Sequence, residues 1–465
     1  MQRSRIAAAL VCAALLFLIS GCVTSEDTKS TLNASAGAHS PHALYQQAAD
    51  AVNSADSLSL YIGTMTQTTV ENQTFSEASQ QHLQYRVDKT NGLQAAVEEV
   101  VLIGTHKYTV SEVFTDNTNY FTVNDSPFRT SITAEAYRSR FAPAAPFDPN
   151  LYGSIQTVES GARTALIFSQ PTAAEAWSIP EDAVFLDASG YAMLNSGGAL
   201  TDSTYTITYT VGSATVSKTF KIIICSTDVE IPSPSTSAAY ITLEYADAPQ
   251  WLEQACGYLL QAGNVKSQSS ETITCQAFSI NRTQSTSLSM SGEEQNFYAV
   301  LDTNVTQINQ SLGGAVIKLT ETERFQNGMY SISENGSVPA ENPSVDYASM
   351  NAYCEDFLVS SIILPKHIGA ARLSETETTY KITFQANQLL AEAICADICD
   401  TLYNEPALLD TLASASTANT VECYLELDKQ TGLPVSSGLS YSATHTIEAI
   451  SYQLTSQRSQ AYQYK

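Results

Sequence analysis

The sequence predicts an α+β protein in which one helix-plus-antiparallel-sheet domain occurs twice in tandem. Three observations predict it. Many runs alternate apolar and polar side chains with the period of two that puts one face of a strand on a core. Corners rich in Asp, Asn and Gly separate such runs, above all Asp88-Lys89-Thr90-Asn91-Gly92, where Asn-Gly tolerates the positive φ of a tight hairpin. The order of elements then recurs at an offset of about 210 to 240 residues, the signature of an internal repeat.

The first copy opens with a helix over His42–Ala55, with Leu44, Ala48, Ala51 and Val52 along one side. Strands follow at Leu58–Thr69, Gln81–Val87, Gln94–Ile103, Lys107–Thr115 and Asn119–Val123. A helical stretch at Thr133–Arg140 and a loop holding Pro143, Pro146 and Pro149 interrupt them. Strands resume at Thr164–Phe168, Ala183–Leu186, Thr204–Val211 and Val216–Ile224. Ser226–Thr236, with Ile231-Pro232-Ser233-Pro234 inside it, reads as a linker. The first domain therefore covers 42–236 and the second 237–465.

The second copy repeats the order. Its helix is Trp251–Leu260, and strands follow at Glu271–Asn281, Gln295–Leu301 and Ala315–Glu321. Glu323–Ile332 aligns with Glu112–Val123 when a gap of two residues is allowed. The helix Tyr347–Ser360 stands against Thr133–Arg140. Strand Tyr380–Phe384 followed by Leu390–Ile394 stands against Thr164–Phe168 followed by Ala173–Trp177. Tyr424–Leu433 aligns with Val184–Tyr191, again with a gap of two, so that Asp187–Gly190 is expected to be a corner like Asp428–Gly432. A helical insertion near Glu405–Thr417 accounts for the growing offset. The helix Leu389–Leu402 carries a stripe of Leu390, Ile394, Ile398 and Leu402 with Cys395 and Cys399 at its border. It packs on the sheet or roofs an apolar cavity.

Composition narrows the function. A chain of 465 residues with 43% apolar content and 24 tyrosines can bury more than one core. A net charge of −25 repels phosphate backbones and anionic headgroups. Nucleic acid is therefore excluded as a partner, as is a broad basic membrane-docking face. The sequence holds no G-x-S-x-G, H-E-x-x-H, phosphate loop or G-x-G-x-x-G. His39, His42, His82, His106, His367 and His445 form no ligand pattern. Asp397 with Asp400, and Asp116 with Asn119 in a loop, have a spacing that calcium would accept, but read more simply as a solvated helix face and a turn. Glu98-Glu99 and Glu293-Glu294, each on a strand, point to opposite faces and do not converge. No catalytic residue, metal ligand or cofactor is assigned, and an enzyme is the weakest of the functional classes.

The first residues supply an address. Arg3 and Arg5 precede an uncharged apolar run, Ile6–Ile19, too short to span a bilayer. Leu18-Ile19-Ser20-Gly21-Cys22 resembles the lipobox of bacterial lipoproteins. The resemblance implies a signal peptide of residues 1–21, cleavage between Gly21 and Cys22, and an S-diacylglyceryl group on Cys22, with or without N-acylation. Two acyl chains, at roughly 0.8 kcal/mol per buried methylene, anchor stably. The protein would then sit in the bacterial cell envelope on the extracytoplasmic face of a membrane. Residues 22–41, rich in Ser, Thr, Ala and Asn, form a tether with an r.m.s. span of roughly 24 Å. Cys12 would leave with the leader. Cys225, Cys256, Cys275, Cys354, Cys395, Cys399 and Cys423 remain, an odd number with no C-x-x-C. They are apolar core residues, or some form one or two disulfides in the oxidising compartment. Cys395 and Cys399 are poorly spaced to bridge each other.

The helix, the consecutive strands with D-K-[TQ]-[NT]-G-L corners (Asp88–Leu93 and Asp428–Leu433), the helical interruption and the closing Val229-Glu230-Ile231-Pro232-Ser233-Pro234 resemble the LolA/LppX-type lipoprotein superfamily. The resemblance implies that each domain is a half-barrel, a curved antiparallel sheet covered by helices, with a lipid or acyl chain in the hollow. The second copy departs from it by lacking the closing I-P-S-P and by carrying the insertion. The expected function is a membrane-anchored, non-enzymatic lipoprotein that binds a lipid-like ligand between sheet and helices, its one assigned partner being the membrane through Cys22. A cell-surface docking module that presents tyrosines to another protein is the alternative.

Overall fold

Serine followed by proline starts the first helix for a local reason. Ser40 accepts from the Ala43 amide (3.3 Å) while Pro41, with its φ preset and no amide to satisfy, takes the first turn of α1 (Pro41–Asn53). The computed structural model describes residues 40–88, 92–141, 151–160, 162–171, 179, 182–226, 228–292, 294–310, 313–402, 416–447 and 449–464. The leader with Gly21 and Cys22, nearly all of the tether, the corner residues 89–91, the three loop prolines, Ala173–Trp177, Glu293 and the expected insertion from 405 to 415 lie outside them. Two compact units divide between Thr242 and Leu243.

After α1, unit 1 runs through β1 (Ser57–Val70), β2 (Gln73–Asp88), β3 (Gly92–Ile103), β4 (His106–Thr115), β5 (Thr118–Val123) and β6 (Ser126–Ser131) to helix α2 (Ala134–Phe141). It continues with β7 (Tyr152–Ser160), β8 (Arg163–Pro171), β9 (Val184–Leu194), β10 (Leu200–Val211), β11 (Ala214–Ser226) and the short β12 (Ile241–Thr242). The strand order is β12-β6-β5-β4-β3-β2-β1-β11-β10-β9-β8-β7. All neighbours are antiparallel except β12, which runs parallel to β6. The sheet is open, and its seam is the pairing of β1 with β11, Leu60 opposite Ile224.

Unit 2 begins with α3 (Ala248–Gln261), then β13 (Asn264–Cys275), β14 (Ile280–Ser291), β15 (Tyr298–Asn309), β16 (Ala315–Gln326), β17 (Met329–Glu334) and β18 (Ala340–Asn342). Helix α4 (Tyr347–Val359), β19 (Ile368–Glu375), β20 (Thr379–Ala386), helix α5 (Gln388–Thr401), β21 (Ser416–Asp428), β22 (Pro434–Ile447) and β23 (Ile450–Tyr464) complete it. Its order is β18-β17-β16-β15-β14-β13-β23-β22-β21-β20-β19. Apart from β12, this is the order of unit 1 strand for strand, with first and last strands again meeting at the centre. Strand dominates both units, and each is a single antiparallel-dominated sheet.

Cores form where alternation predicts. In β10, Tyr205, Ile207, Tyr209 and Val211 are buried while the residues between them are less so. Together with Leu58, Leu60 and Ile62 of β1 and Leu166 and Phe168 of β8, they make one cluster with Tyr45, Ala48, Ala49 and Val52 of α1. A fully buried side chain of this size contributes roughly 1.5–3 kcal/mol.

The repeat is closer than the sequence alignment. Residues 109–125 and 320–336 correspond without a gap, since β4 and β5 turn at Asp116-Asn117 and β16 and β17 turn at Asn327-Gly328, all four with positive φ. The gap of two residues is thus an error, caused by matching aliphatic residues instead of turn positions. Thr109 N donates to Asn124 Oδ1 (3.1 Å) and Thr320 N to Asn335 Oδ1 (3.0 Å), fixing the next corner identically in both units.

Three other expectations fail. Glu271–Asn281 is not one strand; the chain turns between Cys275 and Ile280, with Ser279 at φ 53°. Asp187–Gly190 is not a corner but the middle of β9. Gly190 is required there because a Cβ would lie 2.5 Å from Thr204 O, beneath Tyr205. The corner that answers Asp428–Gly432 is Asn195–Ala199. Finally, the expected stripe on α5 holds at Ile398 and at Leu402 just beyond the helix, but Ala391, Cys395 and Cys399 share the packed face while Leu390 and Ile394 only flank it.

Candidate functional site

The face of each sheet that meets the helices is the place where a ligand or a reaction would be held, and the two units fill it differently. In unit 1 it is aromatic. Tyr45 of α1 lies 4.8 Å from the Phe168 ring, Tyr152 stacks on Phe168 at 4.5 Å, and Tyr205 stacks on Phe220 at 4.7 Å. His42 Nε2 donates to the Tyr152 carbonyl (3.2 Å), joining the start of α1 to β7. Burial pushes the Tyr152 and Tyr205 phenols far above their ordinary range, so both stay neutral. Burial also raises the Asp202 carboxyl, whose Oδ2 accepts from Thr201 Oγ1 at 3.0 Å.

In unit 2 the corresponding face is polar near the end of α4. Gln460 Nε2 donates to Ser267 Oγ and to the Phe357 carbonyl, both at 3.0 Å, and its Oε1 accepts from Ser361 Oγ (2.9 Å). Tyr462 OH donates to the Leu358 carbonyl (3.0 Å) and lies 2.7 Å from Ser437 Oγ. Ser361, Ser437 and Gln460 are no more than 2% exposed. The network ties the end of α4 and Ser361 just beyond it to β23, and β23 in turn to β13 and β22. Burial pushes the Tyr462 phenol up to about 12, and a network without a base or a charged group is a fastening rather than a catalytic centre.

Helix α5 carries a thiol pair. Cys395 and Cys399 stand one turn apart on its buried face. None of the seven expected cysteines is in a disulfide. Burial pushes Cys256 on α3, Cys354 on α4 and Cys423 on β21 up to about 12, and raises Cys225 at the end of β11.

One constellation occurs in both units. Glu112 of β4 accepts at Oε2 from Asn119 Nδ2 of β5 (3.0 Å) and from Tyr137 OH of α2 (3.3 Å). Glu323 of β16 accepts at Oε2 from Tyr330 OH of β17 (2.6 Å) and at Oε1 from Tyr353 OH of α4 (3.0 Å). Glu112 and Glu323 correspond, as do Asn119 and Tyr330. In each unit a glutamate thus clamps the helix that follows the sixth strand onto the hairpin. The first clamp is buried, with Phe114 stacked 4.1 Å from Tyr137. The second is open, Tyr353 being 47% exposed. Asn119 is therefore not in a loop with Asp116; it faces the core from a strand.

The other candidates stay apart. Glu98 is exposed, accepting from Ser111 Oγ (2.9 Å), and Glu99 lies on the other face. Glu294 falls in a turn, not a strand. Asp397 pairs with Arg458 (3.5 Å) on the exposed side of α5. His82 bonds Ser59 Oγ (2.9 Å) and stacks on Tyr61. Among the described residues, no three His, Cys, Asp or Glu side chains are grouped to hold a metal ion. No described helix is long and apolar enough to cross a membrane, which says nothing of strands. Sequence reasoning missed Tyr137 and Tyr353.

No family model matches the chain, and no curated protein does. Among solved structures, a presumed outer membrane protein of Bacteroides fragilis is 7% identical, with 87% of this chain and 97% of that one covered and a TM-score of 0.16. Kievitone hydratase from Nectria haematococca is 9% identical over 88% and 90%, at 0.13. Transferrin binding protein B from Haemophilus parasuis is 7% identical over 88% and 76%, at 0.11. Superpositions this loose carry no argument for fold or function.

Proposed function

We propose that this chain is a lipid-anchored extracytoplasmic protein, cleaved before Cys22 and acylated there, whose two half-barrel domains bind apolar or amphipathic molecules between sheet and helices. The observation that carries the reading is the aromatic face of unit 1, where Tyr45, Tyr152 and Phe168 meet beneath α1 behind a lipobox-like leader. Rings and neutral phenols buried between sheet and helix make an interior of the chemistry that acyl chains or other apolar ligands need. The fold analogy with LolA/LppX-type carriers points the same way but does not fix the ligand.

Docking of another protein is the second reading. It is favoured by Ile167 and Tyr191, opposite each other on β8 and β9 and 42% and 39% exposed, with Val158 on β7 and Val184 and Leu186 on β9 also exposed.

Two measurements decide. Membrane fractionation of the full chain and of Cys22→Ser tests the anchor: the variant should leave the membrane fraction, and its retention after leader cleavage would overturn the anchoring. Native mass spectrometry of detergent-free Cys22→Ser protein tests the binding: a non-covalent lipid adduct, displaced when Tyr152→Asp is introduced, supports it. An adduct-free protein that takes up no fatty acid on titration would sink the ligand reading in favour of docking.

A further inference from the structure

We propose that Asn327 is a site of spontaneous modification, where the side-chain amide is lost to the following backbone nitrogen and the corner between β16 and β17 converts with age to aspartate and isoaspartate. Three Asn-Gly steps occur in the chain, Asn91-Gly92, Asn327-Gly328 and Asn335-Gly336, and the last two lie wholly within the described residues. Both form tight, exposed corners with positive φ, 54° and 76° at the first and 50° and 73° at the second. A glycine leaves its own amide nitrogen unshielded because no Cβ stands beside it, and at Gly328 and Gly336 nothing else lies within 4 Å of where a Cβ would be.

What separates the two corners is the asparagine side chain. Asn335 Oδ1 accepts from Thr320 N (3.0 Å) and from Thr320 Oγ1 (3.5 Å), which fastens that side chain to β16. Asn327 has no such tie: its side chain makes no hydrogen bond among the described residues. It is free to turn onto the Gly328 nitrogen.

The step is a ring closure followed by hydrolysis. The Gly328 nitrogen, having given its proton to hydroxide, attacks Asn327 Cγ. The bond from Cγ to the side-chain nitrogen breaks, and that nitrogen takes a proton from water and leaves as ammonia. Water then opens the cyclic imide at either carbonyl, giving aspartate or, with the main chain rerouted through the side chain, isoaspartate. Nothing is oxidised or reduced, and water is the only co-reactant.

Unit 1 shows which product the fold accepts. Asp116 and Asn117 stand where Asn327 and Gly328 stand, and Asp116 holds its corner at φ 52°. The aspartyl product therefore matches a corner that the fold already uses. The isoaspartyl product adds a backbone carbon to a turn whose register sets Tyr330 opposite Phe325 and its hydroxyl 2.6 Å from Glu323 Oε2. The open clamp of unit 2 thus slackens with the age of the protein. The buried clamp of unit 1, with no Asn-Gly step at its corner, does not.

The test ages the folded full chain at mildly alkaline pH and follows it by peptide mass mapping and by enzymatic methylation of isoaspartate. Asn327 should convert about fivefold faster than Asn335, the factor that one hydrogen bond of ordinary net strength is worth. The two rates should converge in urea, where that bond is gone. Gly328→Asn copies the residue of the unit 1 corner, which tolerates positive φ, and sets a Cβ beside the attacking nitrogen; it should fold and resist conversion at 327. Equal rates in the folded chain, conversion of Asn327 only after unfolding, or a Gly328→Asn form that converts as fast would overturn the proposal. Hydrogen exchange over 329–334 should quicken in the isoaspartate-containing fraction, and unchanged exchange there would overturn the slackening of the clamp.

Discussion

The two units share a strand order, a hairpin set and a glutamate clamp, yet they fill the space beneath their helices with different chemistry. Both set rings of the first helix against the eighth strand, Tyr45 with Phe168 and Trp251 with Tyr380, but unit 2 adds serine hydroxyls, a glutamine amide and thiols. What is held in common is backbone geometry: the positive-φ corners, the Asn124 and Asn335 turns, and the seam of first and last strands. The difference teaches that connectivity and corners specify this sheet, while the interior side chains are free to diverge. The edges diverge as well. β6 is covered by β12, with Arg129 Nε donating to Thr242 Oγ1 (3.0 Å). β18, which occupies the same place in unit 2, ends its sheet with Ala340, Glu341 and Asn342 all exposed, flanked by Pro339 and Pro343. A short, charged, proline-bounded strand is a poor template for further pairing.

The clamps offer the sharpest break in the comparison. Glu112→Ala strands the Asn119 amide and the Tyr137 hydroxyl in a buried site, at about 1–3 kcal/mol each. Glu323→Ala exposes its partners to water and should cost under about 1 kcal/mol. Hydrogen exchange by mass spectrometry should therefore accelerate strongly over 106–131 in the first variant and weakly over 315–334 in the second. Equal effects would mean that burial does not separate the clamps.

Next come the cross-strand Gly–Tyr pairs. Gly190 sits under Tyr205, and Gly438 under Tyr424, whose ring a Cβ would approach to 2.6 Å. Each glycine has backbone in the way as well, Thr204 O for Gly190 and Arg458 O for Gly438. Gly190→Ala and Gly438→Ala should each destabilise their own unit by about 1–3 kcal/mol, read as a lower urea midpoint. An unchanged midpoint would show that the strands can spread.

Smaller again, Tyr462→Phe removes the bond to the Leu358 carbonyl and should cost about 1 kcal/mol, loosening α4 but not α2 in the same exchange experiment. The smallest effect is one of pH. Burial lowers the His82 imidazole, more than Glu98 raises it. Its neutral form is the one the fold accepts, so its stabilisation is present above the unfolded value of about 6.5 and fades as pH falls through the lowered folded value. His82→Gln should flatten the acid side of the unit 1 melting profile; an unchanged profile would reassign it to the carboxylates.

Local chemistry made much of this fold readable. Period-two alternation found the strands, and the match of Glu323–Ile332 to Glu112–Val123 marked the repeat. Asp187–Gly190 misled because its composition suits a turn, whereas Gly190 serves a close approach between strands. The clamps were invisible because Tyr137 and Tyr353 reach their glutamates across long stretches of chain, and no spacing encodes that. The packed face of α5 was misjudged because Leu and Ile outweigh Cys in any apolar count, while the sheet beneath selects by position.

The seam has a consequence in time. Leu60 waits for Ile224, and Val265 for Tyr464. Neither sheet can complete its middle until its last long strand has been made, β11 in unit 1 and β23 in unit 2. Pairings this distant are slow to find, so each unit should linger as a pliable, unclosed polymer after synthesis. Such a chain can still be threaded through a narrow channel.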